Sequence, residues 1–290
     1  MQRSISIAKY YHSQKQQHDK NHQPLNNHGG LNTNSVGDWR HLRMYELIIP
    51  LLKSAKGKKW LTIGDGRYGH EAHFIEKQGG IALATDLSTT RLSYAKKIGH
   101  IKAYKRENAE HLSFKDDTYD YVLCKESYHH FPRPIIALYE MIRVAKKSVV
   151  LIEPNDVYRR GLSWKRLLSI EDPSAQVNRF EISGNYVYTI SRRELIKIAL
   201  GIGLPTIAFS GIDDHYIKGV EKELLDSHGQ LKKKINFVLK VLDIAYHLGI
   251  RDRSLLAAII FKHKPSKTVR QNLSLAGYNI IDLPKNPYVK

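Results

Sequence analysis

The sequence predicts an α/β fold in which a doubly wound, mostly parallel sheet of seven strands carries helices on both faces. From residue 59 onward, short apolar runs alternate with segments of helical periodicity, which is typical of βαβ units. A glycine-rich turn follows the first apolar run. The run from Ser148 to Ile152 is continuous and β-branched, as central parallel strands tend to be. At 290 residues, the chain has room for one such domain with insertions.

Ahead of the alternation, residues 1–57 are expected to form an N-terminal arm and a helix. Residues 1–37 are rich in glutamine, asparagine and histidine and predict an irregular arm. An amphipathic helix should follow over residues 39–49 because its apolar side chains recur on one face. Pro50 should end or kink that helix, since proline removes a backbone donor.

The main domain is predicted over residues 58–263, where strands and helices alternate. The seven expected strands cover residues 60–63, 81–85, 101–105, 121–124, 148–152, 206–210 and 255–262. Helices are expected at residues 68–77, 88–98, 134–145, 191–199 and 217–248. Ser191 and Glu194 form a capping-box pattern, which marks the beginning of a helix.

Two segments outside this regular alternation are predicted to form, together with the N-terminal arm, a lid over the acceptor. Residues 155–190 are polar, aromatic and basic, and residues 212–250 contain a long helical segment. Arginine and aromatic side chains suit a sugar or an acidic ligand, since guanidinium groups pair with carboxylate and phosphate. Residues 264–290 are interpreted as a basic C-terminal tail without an assigned element, and its removal is expected to leave the ligand site of the domain intact.

Charge and composition limit the partners and the compartment. The formal net charge of +18 favours anionic partners, among them nucleic acid, an anionic membrane face and acidic glycans. The single cysteine, Cys124, excludes an intramolecular disulfide. No apolar run approaches the ~20 residues of a membrane helix, and no secretory signal is visible at the start. We therefore expect a cytoplasmic protein that can still contact a membrane surface.

The glycine-rich turn reads Gly64-Asp65-Gly66-Arg67-Tyr68-Gly69, a G-x-G-x-x-G pattern between a strand and a helix. Glycines let a ligand lie against the backbone at the beginning of a helix. Asp86 ends the next apolar run, near the ~20-residue spacing expected for a carboxylate that holds ribose hydroxyls. This pair fits nicotinamide adenine dinucleotide and S-adenosylmethionine (SAM) equally, and a purely structural role of the glycines is the alternative.

The stretch from Glu107 to Pro134 favours SAM. It resembles the broad small-molecule methyltransferase family that includes the ubiquinone and menaquinone methyltransferases, and the resemblance covers roughly residues 58–155. The matching parts are Asn108-Ala109-Glu110, Leu112-Ser113-Phe114, Tyr119-Asp120, the strand at Tyr121 to Cys124, and Tyr128-His129-His130-Phe131. The resemblance implies a Rossmann-like class I fold, with SAM as cofactor and S-adenosylhomocysteine as product.

The same resemblance implies a set of cofactor-binding residues. Its glycine-rich turn should line the methionine and ribose, Asp86 the ribose diol, Leu87 the adenine, and Lys125 the methionine moiety. The full set is Gly64, Asp65, Gly66, Arg67, Asp86, Leu87, Asn108, Ala109 and Lys125. Two positions depart from the family pattern, because Thr62 and Asn108 stand where the family usually has aspartate. Asn108 can still accept a hydrogen bond from the adenine amine.

Three residues are candidates for catalysis. His129 and His130 follow the fourth strand, at the carboxyl edge where α/β ligands bind, and a neutral imidazole suits a general base. Glu153 ends the fifth strand and is expected either to face the acceptor or to bind a backbone amide. Asp213-Asp214-His215 offers metal-ligand types, but adjacent residues of a strand point to opposite faces, so no metal site is predicted.

The function that we infer from the sequence is O-methylation of a small molecule or glycan, with a surface-polysaccharide sugar as one candidate. RNA methylation is an alternative that rests on the positive charge alone. A non-catalytic SAM-binding scaffold or regulatory protein is another, and it would tolerate loss of both histidines. A nicotinamide-dependent oxidoreductase is a third, since its cofactor also presents an adenosine ribose.

Overall fold

The computed structural model describes residues 11–12, 15–16, 34–54, 56–156, 180, 186–225 and 229–288. Most of the predicted N-terminal arm lies outside the described residues. The same holds for most of the predicted insertion at residues 155–190.

Helices and strands alternate along the described part of the chain. The helices are α1 (Val36–Glu46), α2 (Ile49–Leu52), α3 (His70–Lys77), α4 (Thr90–Lys97), α5 (Pro134–Val144), α6 (Arg192–Gly201), α7 (Leu231–His247) and α8 (Lys267–Leu275). The strands are β1 (Lys59–Ile63), β2 (Ile81–Asp86), β3 (Tyr104–Arg106), β4 (Tyr119–Lys125), β5 (Ala145–Pro154), β6 (Thr206–Ile212), β7 (Leu255–Phe261) and β8 (Asn279–Asp282). One turn of 3₁₀ helix covers Tyr128–His130.

The strands form one sheet in the order β3-β2-β1-β4-β5-β7-β6-β8. The pairs from β3 to β5 are all parallel, whereas β7 runs antiparallel to both β5 and β6. The predicted α/β class with a doubly wound, mostly parallel sheet is therefore confirmed. Chain order reverses between β1 and β4, which creates a crevice at the carboxyl ends of these two strands.

The sheet has eight strands, one more than the seven predicted. The added strand is β8, which pairs antiparallel with β6 at the edge of the sheet. It lies within residues 264–290, the segment interpreted from sequence as a tail. Its apolar content is limited to Ile280 and Ile281, which is too short a run to predict a strand from its pattern.

Apolar side chains pack on both faces of the sheet, because successive residues of a strand point to opposite sides. One face carries α1 to α4 and α8 over a cluster that includes Trp60, whose ring stacks on Tyr121 at 4.5 Å between centroids. The other face carries α5 and α6 over a cluster that includes Leu138 and Leu195. Helices therefore cover both faces of the sheet, and the carboxyl ends of its parallel strands lie between the two layers.

Helix boundaries follow local capping more closely than apolar periodicity. Helix α1 begins earlier than predicted because Ser35 and Asp38 form a capping box, in which the amide of Asp38 donates to Ser35 Oγ at 3.0 Å. Pro50 occupies the first turn of α2, where proline needs no backbone donor. Ser191 caps α6 as its sequence pattern predicts, accepting from the amide of Glu194 at 3.2 Å.

Among the described residues, none of the helices is both long and apolar enough to cross a bilayer.

Candidate functional site

Two adjoining cavities open at the carboxyl ends of β1, β2 and β4. The first spans about 610 Å³, part of it open to solvent, and is lined by the ends of these strands and by the loop after β3. The second spans about 1410 Å³, also partly open to solvent, and lies between α1, α3 and the residues after β4. Gly64, Ser127 and His130 line both cavities, so the two form one continuous cleft.

The glycine-rich turn forms the floor between the two cavities. Gly64 adopts a φ of +73°, and a Cβ there would lie 2.4 Å from the Cβ of Ser127. A Cβ on Gly66 would lie 2.6 Å from Oδ2 of Asp86. These distances are too short for any side chain, so glycine at both positions allows the turn to approach β2 and the residues after β4.

The first cavity contains the residues expected to hold an adenosine group. Asp86 ends β2, is buried, and accepts a hydrogen bond from the amide of Ser88 at 2.8 Å. Leu87, Asn108 and Ala109 line the same cavity. The predicted set from two separate loops is therefore brought together at one end of the cleft.

A local turn orients Asn108 at the wall of the first cavity. The amide of Glu110 donates to Asn108 Oδ1 at 3.0 Å. Glu110 in turn accepts from the amide of Arg133 at 2.7 Å and from Tyr11 Oη. Tyr11 lines the cavity although it lies within the predicted irregular arm. Burial, followed by the hydrogen bond to Glu110, raises the pKa of Tyr11.

Asp65 differs from the expectation that it contacts the cofactor. Its buried carboxylate accepts from Thr62 Oγ1 at 2.8 Å and from the amide of Ala72 at 2.9 Å. Acceptor oxygens at the beginning of a helix satisfy backbone amides that have no partner within the helix. Burial, followed by the neighbouring Glu71, raises the pKa of Asp65 well above its usual value. Asp65 therefore orients α3 from within the core and does not face the cleft.

Lys125 forms the centre of an ion-pair network under the second cavity. Its buried Nζ lies 3.2 Å from Glu71 Oε1, 3.3 Å from Glu126 Oε2 and 3.3 Å from His41 Nδ1. Burial opposes the charge of Lys125, but the two carboxylates outweigh it and raise the pKa of Lys125. Burial likewise opposes ionisation of Glu71, and Lys125 outweighs it and lowers the pKa of Glu71 to about 2.

Helix α1 reaches this network through His41. The side chain of His41 lies 3.3 Å from Glu126 Oε2 and 2.8 Å from the guanidinium of Arg67. Burial, followed by repulsion from Lys125, lowers the pKa of His41, which favours its neutral form. Glu126 adopts a φ of +48°, a left-handed conformation that is uncommon for a residue other than glycine.

Sequence reasoning missed His41, Glu71 and Glu126. Glu126 had one signal, because it follows Lys125 directly at the end of β4. The other two had none, since their place at the cleft depends on how α1 and α3 pack on the sheet. Arg67 and Lys125, which were predicted, both line the second cavity.

His129 and Glu153 form a buried pair at the wall of the second cavity. His129 Nδ1 lies 2.6 Å from Glu153 Oε2, while Glu153 Oε1 accepts from the amides of Ser127 and Tyr128 at 2.9 and 3.0 Å. Because a carboxylate only accepts hydrogen bonds, the imidazole proton of this pair lies on Nδ1. The Glu153 side chain is fully buried. It therefore supports His129 and the 3₁₀ turn and lines neither cavity, which favours the second expectation for it, the binding of a backbone amide.

His130 lies beside His129 and lines both cavities. The two imidazole centroids are 4.0 Å apart. His130 is thus placed where the two cavities meet.

Asp213 and Asp214 pair with arginines. Asp213 accepts from Arg251 at 2.6 Å and from Arg253 at 2.9 Å, and Arg40 Nε donates to Asp214 at 3.0 Å. These ion pairs neutralise both carboxylates. No group of three or more metal-ligating side chains occurs in the part of the chain that the structure describes.

Part of the chain is similar to a known protein family. Residues 61–152 match the family described as a methyltransferase domain. The match runs from β1 to β5 and includes the glycine-rich turn, Asp86, Asn108 and the 3₁₀ turn that carries His129. We found no match to the sequence among curated proteins.

Solved structures with similar architecture have low sequence identity to this chain. One is a chain of the complex between the Trm112 methyltransferase activator of Haloferax volcanii and a candidate methyltransferase, with a TM-score of 0.51, 14% identity, and coverage of 90% of this chain and 100% of that chain. Others are SAM-dependent methyltransferases from Thermotoga maritima (TM-score 0.49, 15% identity, coverage 88% and 100%) and Archaeoglobus fulgidus (TM-score 0.48, 16% identity, coverage 77% and 94%). The first of these similarities is one of fold alone.

Proposed function

We propose that this chain, which carries a class I SAM-dependent methyltransferase domain, methylates a hydroxyl oxygen of a small, anionic acceptor such as a sugar acid or a glycan. SAM is the cofactor of this domain, and when bound it supplies an electrophilic methyl group. The acceptor, the methylated oxygen and the catalytic base are the proposal.

The first cavity fits the adenosine part of the cofactor. Gly66 leaves open the space that a Cβ would take beside the Asp86 carboxylate, which is suited to accept two hydrogen bonds from a vicinal diol. Leu87 and Ala109 would pack against the adenine, with Arg67 and Lys125 nearer the methionine end.

The pair of His129 and Glu153 is the observation that carries the proposed oxygen chemistry. Glu153 holds the proton on Nδ1 of His129. Nε2, the second ring nitrogen, is the atom proposed to receive the proton of the acceptor hydroxyl. A buried carboxylate also stabilises the imidazolium that this transfer would form, as in other carboxylate–histidine pairs. We propose His129 as the base, Glu153 as its positioning residue, and His130 as a contact to the acceptor.

Cationic side chains along the second cavity support an anionic acceptor. Arg67 and Lys77 are cationic, and they line the cavity together with the imidazoles of His70 and His73. The carboxylates that also line it have partners within the chain: Glu71 and Glu126 pair with Lys125, and Asp38 caps α1. Across from Arg67 and Lys77, α1 contributes aromatic and aliphatic surface. Guanidinium and ammonium groups bind carboxylate or phosphate, and aromatic rings pack on sugar faces.

Mass spectrometry identifies the acceptor in a direct test. The protein is incubated with labelled SAM and fractionated cell extract, and the molecule that gains a methyl group is characterised. We expect an acidic molecule that carries a new O-methyl group. A methyl group on nitrogen, carbon or sulfur would contradict the proposed oxygen chemistry.

The acceptor then serves to test the base. His129→Ala should lower kcat by about 10²- to 10⁴-fold, the usual contribution of a general base, with SAM affinity by calorimetry unchanged. Glu153→Gln should lower kcat less and also leave SAM bound. His263→Ala, which alters an exposed histidine of the same chain, is the matched control. Normal turnover by the His129 variant would remove it as the base.

The cytoplasmic location expected from the sequence stays a prediction, which fractionation of cells would test.

A further inference from the structure

Helix α7 presents an apolar stripe on its outer face. Phe237, Val241, Ile244 and Leu248 at its end are exposed to 69%, 50%, 59% and 68%. Spacings of four, three and four residues bring all four side chains onto one face of an α-helix. Four adjacent exposed apolar groups are more than the scattered single residues that ordinary protein surfaces carry.

The opposite face of α7 attaches the helix to the rest of the molecule. Ile235 is fully buried in a small cluster with Val36 and Val220, and Leu239 packs against the same cluster. The exposed stripe is therefore not the face that folding buries. Helix α7 is apolar on two sides, and among the described residues only one of those sides is covered.

Lysines border the exposed stripe. At 100° per residue, Lys233 and Lys240 lie along one edge and Lys234 along the other. Asp243 is the one acidic residue in α7, lies on a different face, and pairs with Arg253 at 2.6 Å. The chain as a whole carries a formal net charge of +18.

We propose that the stripe on α7 docks on the surface of an anionic lipid bilayer. Apolar side chains bordered by lysines on both edges are the pattern of helices that lie in the plane of a membrane surface. Seventeen residues span about 25 Å, so the helix would lie flat with its apolar side chains among the acyl chains and its lysines at the anionic headgroups.

Charge complementarity favours a bilayer over a second copy of the chain. Two copies of α7 paired through the stripe would bring their lysine rows together, and like charges at close range repel. An anionic membrane instead neutralises those rows. The docking would also bring the cleft close to the bilayer, because Trp39 packs beside α7 and lines the second cavity.

Co-sedimentation of the full chain with vesicles tests this inference. We expect binding to vesicles of phosphatidylcholine mixed with phosphatidylglycerol, much weaker binding to phosphatidylcholine alone, and release by high salt because screening weakens the lysine contacts. Phe237→Ser combined with Ile244→Ser should lower the partition coefficient at least about tenfold, since each buried methylene contributes to anchoring. Lys233→Glu combined with Lys240→Glu should remove the preference for phosphatidylglycerol.

A matched variant separates the stripe from general surface apolarity. Ile81→Ser combined with Leu275→Ser alters two exposed apolar residues elsewhere, at 58% and 82% exposure, and should bind vesicles as the native chain does. Circular dichroism checks that every variant is folded. No binding to the anionic vesicles, or undiminished binding by the Phe237 and Ile244 variant, overturns the inference. So does a dimer in analytical ultracentrifugation that this variant loses, because the stripe would then belong to a second copy.

Discussion

Buried carboxylates at single positions organise the cleft without facing it. Glu153 accepts hydrogen bonds from two backbone amides and from His129. Asp65 accepts from the amides of Glu71 and Ala72 in the first turn of α3. Each holds a neighbouring group that does line the cleft. Asp65 therefore has a structural role although it stands between Gly64 and Gly66 in the glycine-rich turn.

Asp86 and Gly66 act as a pair, since the glycine leaves the space that the carboxylate needs. Gly66→Ala would place a Cβ 2.6 Å from Asp86 Oδ2 and displace the carboxylate. Loss of one hydrogen bond to a charged group, worth about 1.5–3 kcal/mol, should weaken SAM binding by about 10- to 100-fold in calorimetry. Gly66 is not among the residues with positive φ, so the backbone itself tolerates alanine.

Gly201→Ala is the control for this prediction. A Cβ on Gly201 meets no atom within 4 Å, so SAM affinity should be unchanged. Equal affinity of the Gly66 variant and the native chain would argue against Asp86 as the ribose ligand.

At the scale of elements, α1 forms one wall of the second cavity, and ion pairs tie it to the loop after β6. Arg40 is bidentate on Asp214, with its Nε at 3.0 Å, and Arg43 donates to the carbonyl of Asp213 at 3.0 Å. His41 of the same helix contacts the Lys125 network. Helix α1 therefore connects the Lys125 network under the second cavity with the antiparallel half of the sheet.

Removing the Arg40 side chain should loosen α1. Both partners of the Arg40–Asp214 pair are largely buried, and Arg40→Met leaves the Asp214 carboxylate without its counter-ion. Breaking one partner of a buried pair costs about 3–5 kcal/mol, which urea unfolding would measure. Hydrogen exchange in α1 should rise as well.

Arg270→Met is the matched variant, because its ion pair with Asp282 is exposed. It should change stability little. If the two variants were equally stable, the Arg40 pair would not be what holds α1 over the cleft.

At the scale of the whole molecule, the C-terminal segment completes the sheet and the core. Val269, Leu273 and Tyr278 are buried in the core cluster that includes Trp60. Tyr278 Oη donates to the carbonyl of Leu47 at 2.8 Å. Strand β8 covers the edge of β6. The segment is a structural part of the domain and contributes no residue to the two cavities of the cleft.

A chain truncated after residue 263 should lose its native fold. Burial of the three side chains contributes about 1.5–3 kcal/mol each, which together is comparable to the total stability of about 5–15 kcal/mol of most proteins. We expect thermal unfolding to lose its cooperative transition and calorimetry to detect no SAM binding. Truncation after residue 283 keeps β8 and should preserve both. A stable, SAM-binding chain that ends at residue 263 would instead support the interpretation of residues 264–290 as a dispensable tail.

The sequence alone determined the order of the first seven strands, the glycine-rich turn and the residues at the strand ends. These signals are local, because a strand end and the turn after it are consecutive in the chain. Gly64, Asp86, Leu87, Asn108, Ala109 and the two histidines could therefore be predicted at one edge of the sheet.

Tertiary structure alone decided which side chains meet across the cleft. Glu153 holds His129 from 24 residues away, His41 reaches Lys125 from 84 residues away, and Arg40 pairs with Asp214 from 174 residues away. Such contacts depend on how distant segments of the chain pack together. The local sequence around either partner does not indicate which residue it will meet. Strand β8 belongs here too, since a short edge strand owes its conformation to pairing with β6.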